Sequence, residues 1–447
     1  MRRILNYTLL LTMLIPVLGK AQESAEPMKL SLKEAMDLGA KNNVNTKNAR
    51  LEKQKQKAVN NEVTGIAYPQ ISAKGEYNDY LNPVQSFVPA EFVGGPPKTF
   101  IAVPFTPKYG ATASATASQI LFDGGVMVAL QARNALLKLY DQQVTLTEQE
   151  VKYNIQKVYY AIIVTEKQFE TITETMNYVR AIGRETQAYY DNGFTEMLDV
   201  DRINVQINNL AADSIRIGSA ISVLKDGLKY AIGIDVSTPI ELSDNTIEAA
   251  VNEASQLLLD DVQYNDRTDY LLLQTTLKLH QYDLKRHRLS GVPSLAAFGT
   301  AAYTYQTNTF NDIFDKQYIF YSLIGLRLNV PIFDGWQRHS RAKQAKLNIQ
   351  QTRNNINDLE NKIEYEEKQY KTSLKNAIYT MNNQQRNYEL AKKVLETTRT
   401  KYNAGVGAST EVAQAQTEML QAQGNYFQSV LDVINAQSDL QKALGQF

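Results

Sequence analysis

The chain has 447 residues, with 47 basic and 47 acidic side chains and no cysteine. The missing cysteines exclude disulfides, metal–thiolate sites and cysteine nucleophiles. The balanced charge offers no basic surface for nucleic acid. The length alone suggests two or three domains, but internal repetition points to one duplicated unit.

The N-terminus has the pattern of an export signal. Arg2 and Arg3 precede an apolar run over residues 4–18, and a small residue, Ala21, completes a cleavage site. We predict a signal peptide over residues 1–21, whose removal leaves a net charge of −3. No later stretch has the roughly twenty apolar residues of a membrane-spanning helix. Any membrane span of the mature chain is therefore expected to consist of strands.

Five short motifs occur twice, in the same order. The pairs are Pro69-Gln70-Ile71-Ser72 with Pro293-Ser294-Leu295-Ala296, Leu121-Phe122-Asp123-Gly124 with Ile332-Phe333-Asp334-Gly335, Tyr190-Asp191-Asn192-Gly193 with Tyr402-Asn403-Ala404-Gly405, Asp199-Val200 with Glu411-Val412, and Ala231-Ile232-Gly233 with Ala443-Leu444-Gly445. We infer a first repeat over residues 22–233, a linker over 234–262 and a second repeat over 263–447.

Each repeat is predicted to contain a helix, two strands, a long helix, a turn and a return helix. In chain order we expect a helix at about 32–64, strands at about 69–80 and 108–122, a long helix from Gly124, a return helix at about 196–232, strands at about 294–306 and 317–332, and a long helix from Gly335. Residues 108–238 and 332–447 contain no proline, so very long helices are possible there. Each long helix would measure roughly 100 Å at 1.5 Å per residue.

The second long helix has a coiled-coil-like pattern. Its apolar positions recur every three, four or seven residues: Leu359, Ile363, Tyr370, Leu374, Ala377, Met381, Tyr388, Ala391, Leu395, Thr398 and Tyr402. Polar and charged residues occupy the remaining positions. One narrow buried stripe on an otherwise solvated helix is therefore expected.

The strand segments alternate with a period of two. Small or polar side chains, among them Lys74, Glu76 and Arg327, alternate with apolar ones. This pattern is typical of strands between lipid and a water-filled lumen, and equally of a half-buried sheet in a soluble protein. Aromatic residues at the loop ends of the strands favour a membrane interface. Four strands cannot close a barrel, so a channel would require several copies. The loop at 81–108 is expected to narrow or cap its outer mouth.

In their order and spacing these motifs resemble the TolC family of outer-membrane efflux proteins over essentially the whole mature chain. The opening segment Leu30-Ser31-Leu32-Lys33-Glu34-Ala35 belongs to the same pattern. The resemblance implies a homotrimer in the outer membrane, with a 12-stranded β-barrel, four strands per chain, and a long coiled-coil helical tunnel across the periplasm. It implies passive export, with a periplasmic adaptor protein and an inner-membrane pump as partners. Residues 234–262 and the C-terminal tail would contribute to a mid-tunnel belt.

By position, the resemblance assigns gate or lumen roles at the periplasmic tip to Tyr402, Glu411, Gln414 and Asp199. Two residues depart from the family pattern, because Gly407 stands where an arginine is expected and Gln414 replaces an acid. An alternative is that Asp199 and Glu411 are ordinary first-turn acids facing helix dipoles.

The two helical hairpins would contain the tight turns and the adaptor contacts, at Gly193, Gly405 and Tyr190. In the barrel, the resemblance and the strand pattern together place Lys74, Glu76 and Arg327 in the lumen.

Sequence motifs of enzymes are not found. The chain has no nucleophile elbow, no zinc-protease helix and no phosphate-binding loop, and only three histidines. No catalytic residue, metal or cofactor is therefore predicted. The alternative function is a soluble periplasmic coiled-coil adaptor or scaffold protein, which would not fractionate with outer membranes.

Overall fold

A computed structural model describes residues 26–244, 254–314 and 318–447. The predicted signal peptide and part of the predicted linker lie outside these residues. The described residues form two compact units. We call the first, within residues 1–43, 151–255 and 377–435, the hairpin unit. The second, within residues 44–150, 256–376 and 436–447, is the sheet unit.

Helices make up most of the described chain. They are α1 (Leu32–Asn42), α2 (Val44–Gly65), α3 (Gly124–Asp191), α4 (Met197–Ile232), α5 (Thr268–Leu289), α6 (Gln337–Asn403) and α7 (Ser409–Leu444). The strands are β1 (Met28–Leu30), β2 (Gln70–Asp79), β3 (Gln85–Pro89), β4 (Phe100–Pro104), β5 (Tyr109–Phe122), β6 (Ile240–Leu242), β7 (Ser294–Thr307) and β8 (Ile319–Asn329). Within the described ranges, every helix is too short or too polar to cross a membrane.

Two predicted boundaries are wrong. The helix expected at about 32–64 is two helices, because Asn43 leaves the helical conformation, with φ −56° and ψ 139°, and its side-chain amide donates to the carbonyl of Ala231 at 2.8 Å. The last strand ends at Asn329 instead of near residue 332. Pro331 lacks the N–H that would continue the strand ladder.

The Phe-Asp-Gly motifs begin the two long helices. The Asp123 carboxylate accepts a hydrogen bond from the backbone N–H of Val126 at 2.9 Å. The Asp334 carboxylate accepts one from the backbone N–H of Arg338, also at 2.9 Å. Each aspartate thus satisfies an N–H group that the first helical turn leaves without an intrahelical partner.

The predicted stripe on α6 is confirmed. Ile363, Leu374, Met381 and Leu395 are fully or almost fully buried. The remaining predicted stripe residues are at least half-buried, whereas most of their neighbours are exposed. The helix therefore packs along one narrow seam.

The core of the hairpin unit forms around a two-stranded parallel sheet. Strand β1 pairs with β6 in register from Met28–Ile240 to Leu30–Leu242. Leu30 and the aromatic ring of Tyr159 are fully buried there, and the Tyr159 hydroxyl donates to the Leu30 carbonyl at 2.9 Å. Burial raises the pKa of Tyr159, so this hydroxyl keeps its proton at neutral pH.

Each repeat closes with a glycine packed against backbone. In the hairpin unit, Gly233 has φ 79°, and an added Cβ would lie 2.6 Å from the Asn42 carbonyl oxygen. In the sheet unit, Gly445 has φ 77°, and its Cβ would lie 2.6 Å from the Asp266 carbonyl oxygen. Both positions need glycine for its conformation and for the close approach.

We expect Gly233→Ala to destabilise the protein by about 2–4 kcal/mol, from a left-handed backbone conformation and a clash with rigid backbone. Gly193→Ala, in the same unit, is the matched control. Gly193 also has positive φ, but nothing lies within 4 Å of its added Cβ. Gly193→Ala should therefore lower the free energy of unfolding by about 1 kcal/mol. Thermal unfolding followed by circular dichroism measures both, and equal shifts in midpoint would contradict the packing argument.

Candidate functional site

The two helical hairpins have the same turn. Gly193 and Gly405 both have positive φ, of 75° and 73°. The backbone N–H of Gly193 donates to the carbonyl of Tyr190 at 2.9 Å, and that of Gly405 donates to the carbonyl of Tyr402 at 2.9 Å. These bonds satisfy carbonyls at the ends of α3 and α6. The structure therefore places the predicted turn residues at equivalent positions of two matching turns.

Asp199 connects the two hairpins. One carboxylate oxygen accepts a hydrogen bond from the Ser409 hydroxyl at the start of α7, and the other accepts one from the Thr195 hydroxyl at 2.7 Å. The Arg202 guanidinium lies 3.4 Å from the carboxylate. The hydrogen bond from Ser409 is the largest influence on the pKa of Asp199 and lowers it, outweighing partial burial, and the bond from Thr195 and the charge of Arg202 lower it further. Asp199 is therefore ionised at neutral pH and held by three donors.

Tyr402 is half-buried beside this contact and hydrogen-bonds with Thr186. Burial, and secondarily the Asp199 charge, raise the pKa of its hydroxyl. Gly407 packs on the Tyr402 backbone, because an added Cβ would lie 3.0 Å from the Tyr402 nitrogen. Glycine at position 407, where the family pattern has an arginine, thus lets the turn approach the end of α6 closely.

Glu411 and Gln414 are both exposed. Gln414 donates from its side-chain amide to Glu418 at 2.8 Å. Among the described residues, none forms a hydrogen bond or ion pair with the Glu411 carboxylate. The structure brings Tyr402 and Asp199 together, whereas Glu411 and Gln414 are exposed and form no hydrogen bond or ion pair with either residue in the described part of the chain.

Sequence reasoning missed a second connection in the hairpin unit. The Arg399 guanidinium lies 3.6 Å from the ring centre of Tyr178 and donates to the Gln416 side chain at 2.6 Å. Burial lowers the pKa of Arg399. Arg399 is not part of the predicted α6 stripe, and its partners lie on two other helices, so no local spacing pointed to this contact.

The sheet unit contains a four-stranded antiparallel sheet in the order β2-β5-β7-β8. Its register aligns Lys74 with Ser114, Ala302 and Tyr321, and Ala296 with Arg327. Paired residues share a face, so Lys74, Glu76 and Arg327 lie on one largely polar face. The opposite face is apolar and exposed, with Ile71 at 79% and Ile324 at 92%.

Aromatic side chains gather at the loop end of this sheet. Tyr303 and Phe320 have ring centres 5.0 Å apart, and Tyr305 and Tyr318 5.5 Å apart. The ring centre of Phe310, in the loop between β7 and β8, lies 5.7 Å from the ring centre of Tyr109. The predicted long loop at 81–108 is not irregular, because β3 and β4 form an antiparallel hairpin within it.

Residues 275–446 match the family model "Outer membrane efflux protein". Outer membrane protein TolC of Vibrio cholerae is 20% identical over 334 residues, which cover 73% of this chain and 75% of that protein. The chain is an outer membrane efflux protein. The family match falls on the second repeat, and the relative extends the similarity to most of the chain.

Solved structures share the fold of this efflux protein. CusC superposes with a TM-score of 0.72 at 14% identity, covering 92% of this chain and 91% of that one. VceC of Vibrio cholerae gives 0.69 at 15% identity, covering 93% and 96%. The predicted fold class, long helices with four strands per chain, is confirmed. The protein is an outer-membrane exit duct with a periplasmic portion, and the alternative of a soluble adaptor is wrong. Its family is a transport family.

The Asp199 contact has a defined pH dependence. Its folded pKa lies below the usual 3.8, so its stabilisation is present above about pH 4 and is lost as pH falls through the lowered value. Asp199→Asn should therefore destabilise the protein by about 1–2 kcal/mol at pH 7, and by progressively less as the pH falls below about 4. Thermal midpoints from pH 3 to 8 test this, with Ser409→Ala as the partner variant. A difference that persists unchanged to pH 3 would contradict it.

Proposed function

We propose that three copies of this chain close into a 12-stranded barrel and a helical tunnel, which conducts cargo passively out of the cell. An inner-membrane pump would supply the energy, and a periplasmic adaptor would join pump and duct. Each copy would contribute one first repeat, one linker and one second repeat to this assembly. The proposal goes beyond the family assignment in its copy number, its partners and its working residues.

The observation that carries the proposal is the pair of open sheet edges. Strands β2 and β8 each have one paired neighbour within the described residues, and the apolar face beside them is exposed. Backbone N–H and C=O groups cannot remain unpaired in hydrocarbon, where no water replaces the lost bonds. Pairing β8 of one copy with β2 of the next satisfies both edges and continues the antiparallel order.

Cysteine cross-linking tests this pairing, because the chain has no cysteine of its own. We expect Ser72→Cys on β2 to link with Leu323→Cys or Tyr321→Cys on β8 of a neighbouring copy. All three positions lie on the polar face. Oxidised outer membranes should then show covalent dimers and trimers on denaturing gels.

Ser322→Cys, one residue away on the opposite face, is the matched control for the β8 positions. Combined with Ser72→Cys it should give almost no linked product, since side chains on opposite faces cannot meet. Monomers alone from every combination, in protein that reaches the outer membrane, would refute the trimeric barrel.

For the hairpin unit we propose a division of roles at the tip. Asp199 and Tyr402 hold the two hairpins of one chain together, while Glu411 lines the mouth with Gln414 beside it. The exposed turns at Tyr190, Gly193 and Gly405 supply the adaptor contacts. Two observations support this division: the Asp199 carboxylate accepts hydrogen bonds from both hairpins, and Glu411 is exposed.

Three Glu411 carboxylates in one trimer should favour cations at the mouth. We therefore expect Glu411→Gln to lower the cation-to-anion permeability ratio in planar bilayers by about twofold, as for a few screened charges near a narrow pore. Glu411→Asp preserves the charge and should preserve the ratio. If both variants conduct with wild-type selectivity, Glu411 does not line the path.

A further inference from the structure

The polar face of the sheet contains one uncompensated charge. Lys74 and Glu76 form an ion pair, with Nζ and Oε2 2.5 Å apart, and cancel each other. Among the described residues, no carboxylate lies within ion-pair distance of Arg327. Arg327 lies six residues beyond Tyr321, which is level with Lys74 in the register. That separation is roughly 20 Å along the strand, so the ion pair and Arg327 are independent.

The Arg327 guanidinium is held by an aromatic ring. It lies 5.0 Å from the ring centre of Phe298, on the neighbouring strand. The ring covers Gly325, since an added Cβ there would lie 2.9 Å from the Phe298 Cζ atom. A cation–π contact orients the guanidinium without neutralising it. The fork of N–H donors therefore remains available to an anion.

Apolar side chains continue along the same face of β8. Ile319, Tyr321 and Leu323 are exposed on the side that carries Arg327. By contrast, the corresponding face of β2 and β5 is built mainly from small or polar side chains such as Ser72, Thr112 and Ser114. The structure thus combines a free positive charge, an aromatic ring and an apolar strip on one otherwise polar face.

We infer that Arg327, Phe298 and this strip form a lumenal binding platform for organic anions that carry an apolar part. The inference rests on the proposed trimeric barrel, in which the polar face lines the lumen. The guanidinium would bind a carboxylate or sulfonate, and Phe298 and Leu323 would contact the apolar part. Three copies would place three such platforms around the exit path.

Ion selectivity of purified protein in planar bilayers tests the charge. Three unit charges about 10 Å from the pore axis, screened at 0.1 M salt, change the local concentration of a monovalent ion by about twofold. Arg327→Gln should therefore raise the cation-to-anion permeability ratio by about twofold. Arg327→Lys keeps the charge and should leave the ratio at the wild-type value.

Current block tests the organic part. Naphthalene-1-sulfonate should block the wild-type channel at concentrations about tenfold lower than methanesulfonate, since burying one ring is worth about one decade or more in affinity. Arg327→Gln should lose block by both anions. Phe298→Leu should keep the ion selectivity but lose most of the preference for the aromatic sulfonate.

Two results would overturn the binding platform and leave the proposed barrel intact. One is that Arg327→Gln channels conduct with unchanged ion selectivity, and the other is that both sulfonates block the wild-type channel equally. Wild-type protein that forms no channels would overturn the proposed barrel and this platform together. The cross-linking pattern of β2 and β8 separates these cases, because it reports the barrel without reference to Arg327.

Discussion

Hydrogen-bond satisfaction at the edges of one sheet governs this protein. The sheet ends at β2 and β8, and one of its faces exposes a continuous apolar surface that includes Ile324 and Leu326. In the proposed barrel that surface would face lipid, where an open strand edge costs several kcal/mol for each unpaired group. In the proposed trimer, the edge strands of one chain are paired only by neighbouring copies, and the stability of a chain would depend on its assembly.

Duplication preserved backbone geometry more closely than side chains. Asn43 donates to the carbonyl of Ala231 in the hairpin unit, and Arg267 donates to the carbonyl of Ala443 in the sheet unit. The two donors occupy equivalent positions, and so do their acceptors. Arg267 also pairs with Asp269 and Glu366, which the shorter amide cannot do. Each repeat satisfies the equivalent carbonyl with a different donor, because the requirement comes from the backbone.

Periodicity predicted the elements whose structure depends on nearby residues. The α6 stripe and the alternation of Lys74 and Glu76 with apolar neighbours follow directly from helical and strand geometry. What the sequence did not reveal depends on distant partners. The break at Asn43 depends on the carbonyl of Ala231, and the pairing of β1 with β6 joins residues more than 200 positions apart. No local pattern encodes such contacts, and the contact of Ser409 with Asp199 is missed for the same reason.

The repeats also explain why the two tip carboxylates differ. Asp199 and Glu411 occupy equivalent positions in the hairpins, yet only Asp199 receives donors from the neighbouring hairpin and its own helix. The position equivalent to Ser409 in the first repeat is Met197, which has no hydroxyl to donate to Glu411. The position equivalent to Arg202 in the second repeat is Gln414, which bonds with Glu418 instead. Together with Gly407, which stands at the position equivalent to Thr195, these differences between the copies make Asp199 a structural contact and leave Glu411 exposed. In the proposed channel, this difference in donors would let Asp199 hold the hairpins together while Glu411 lines the mouth.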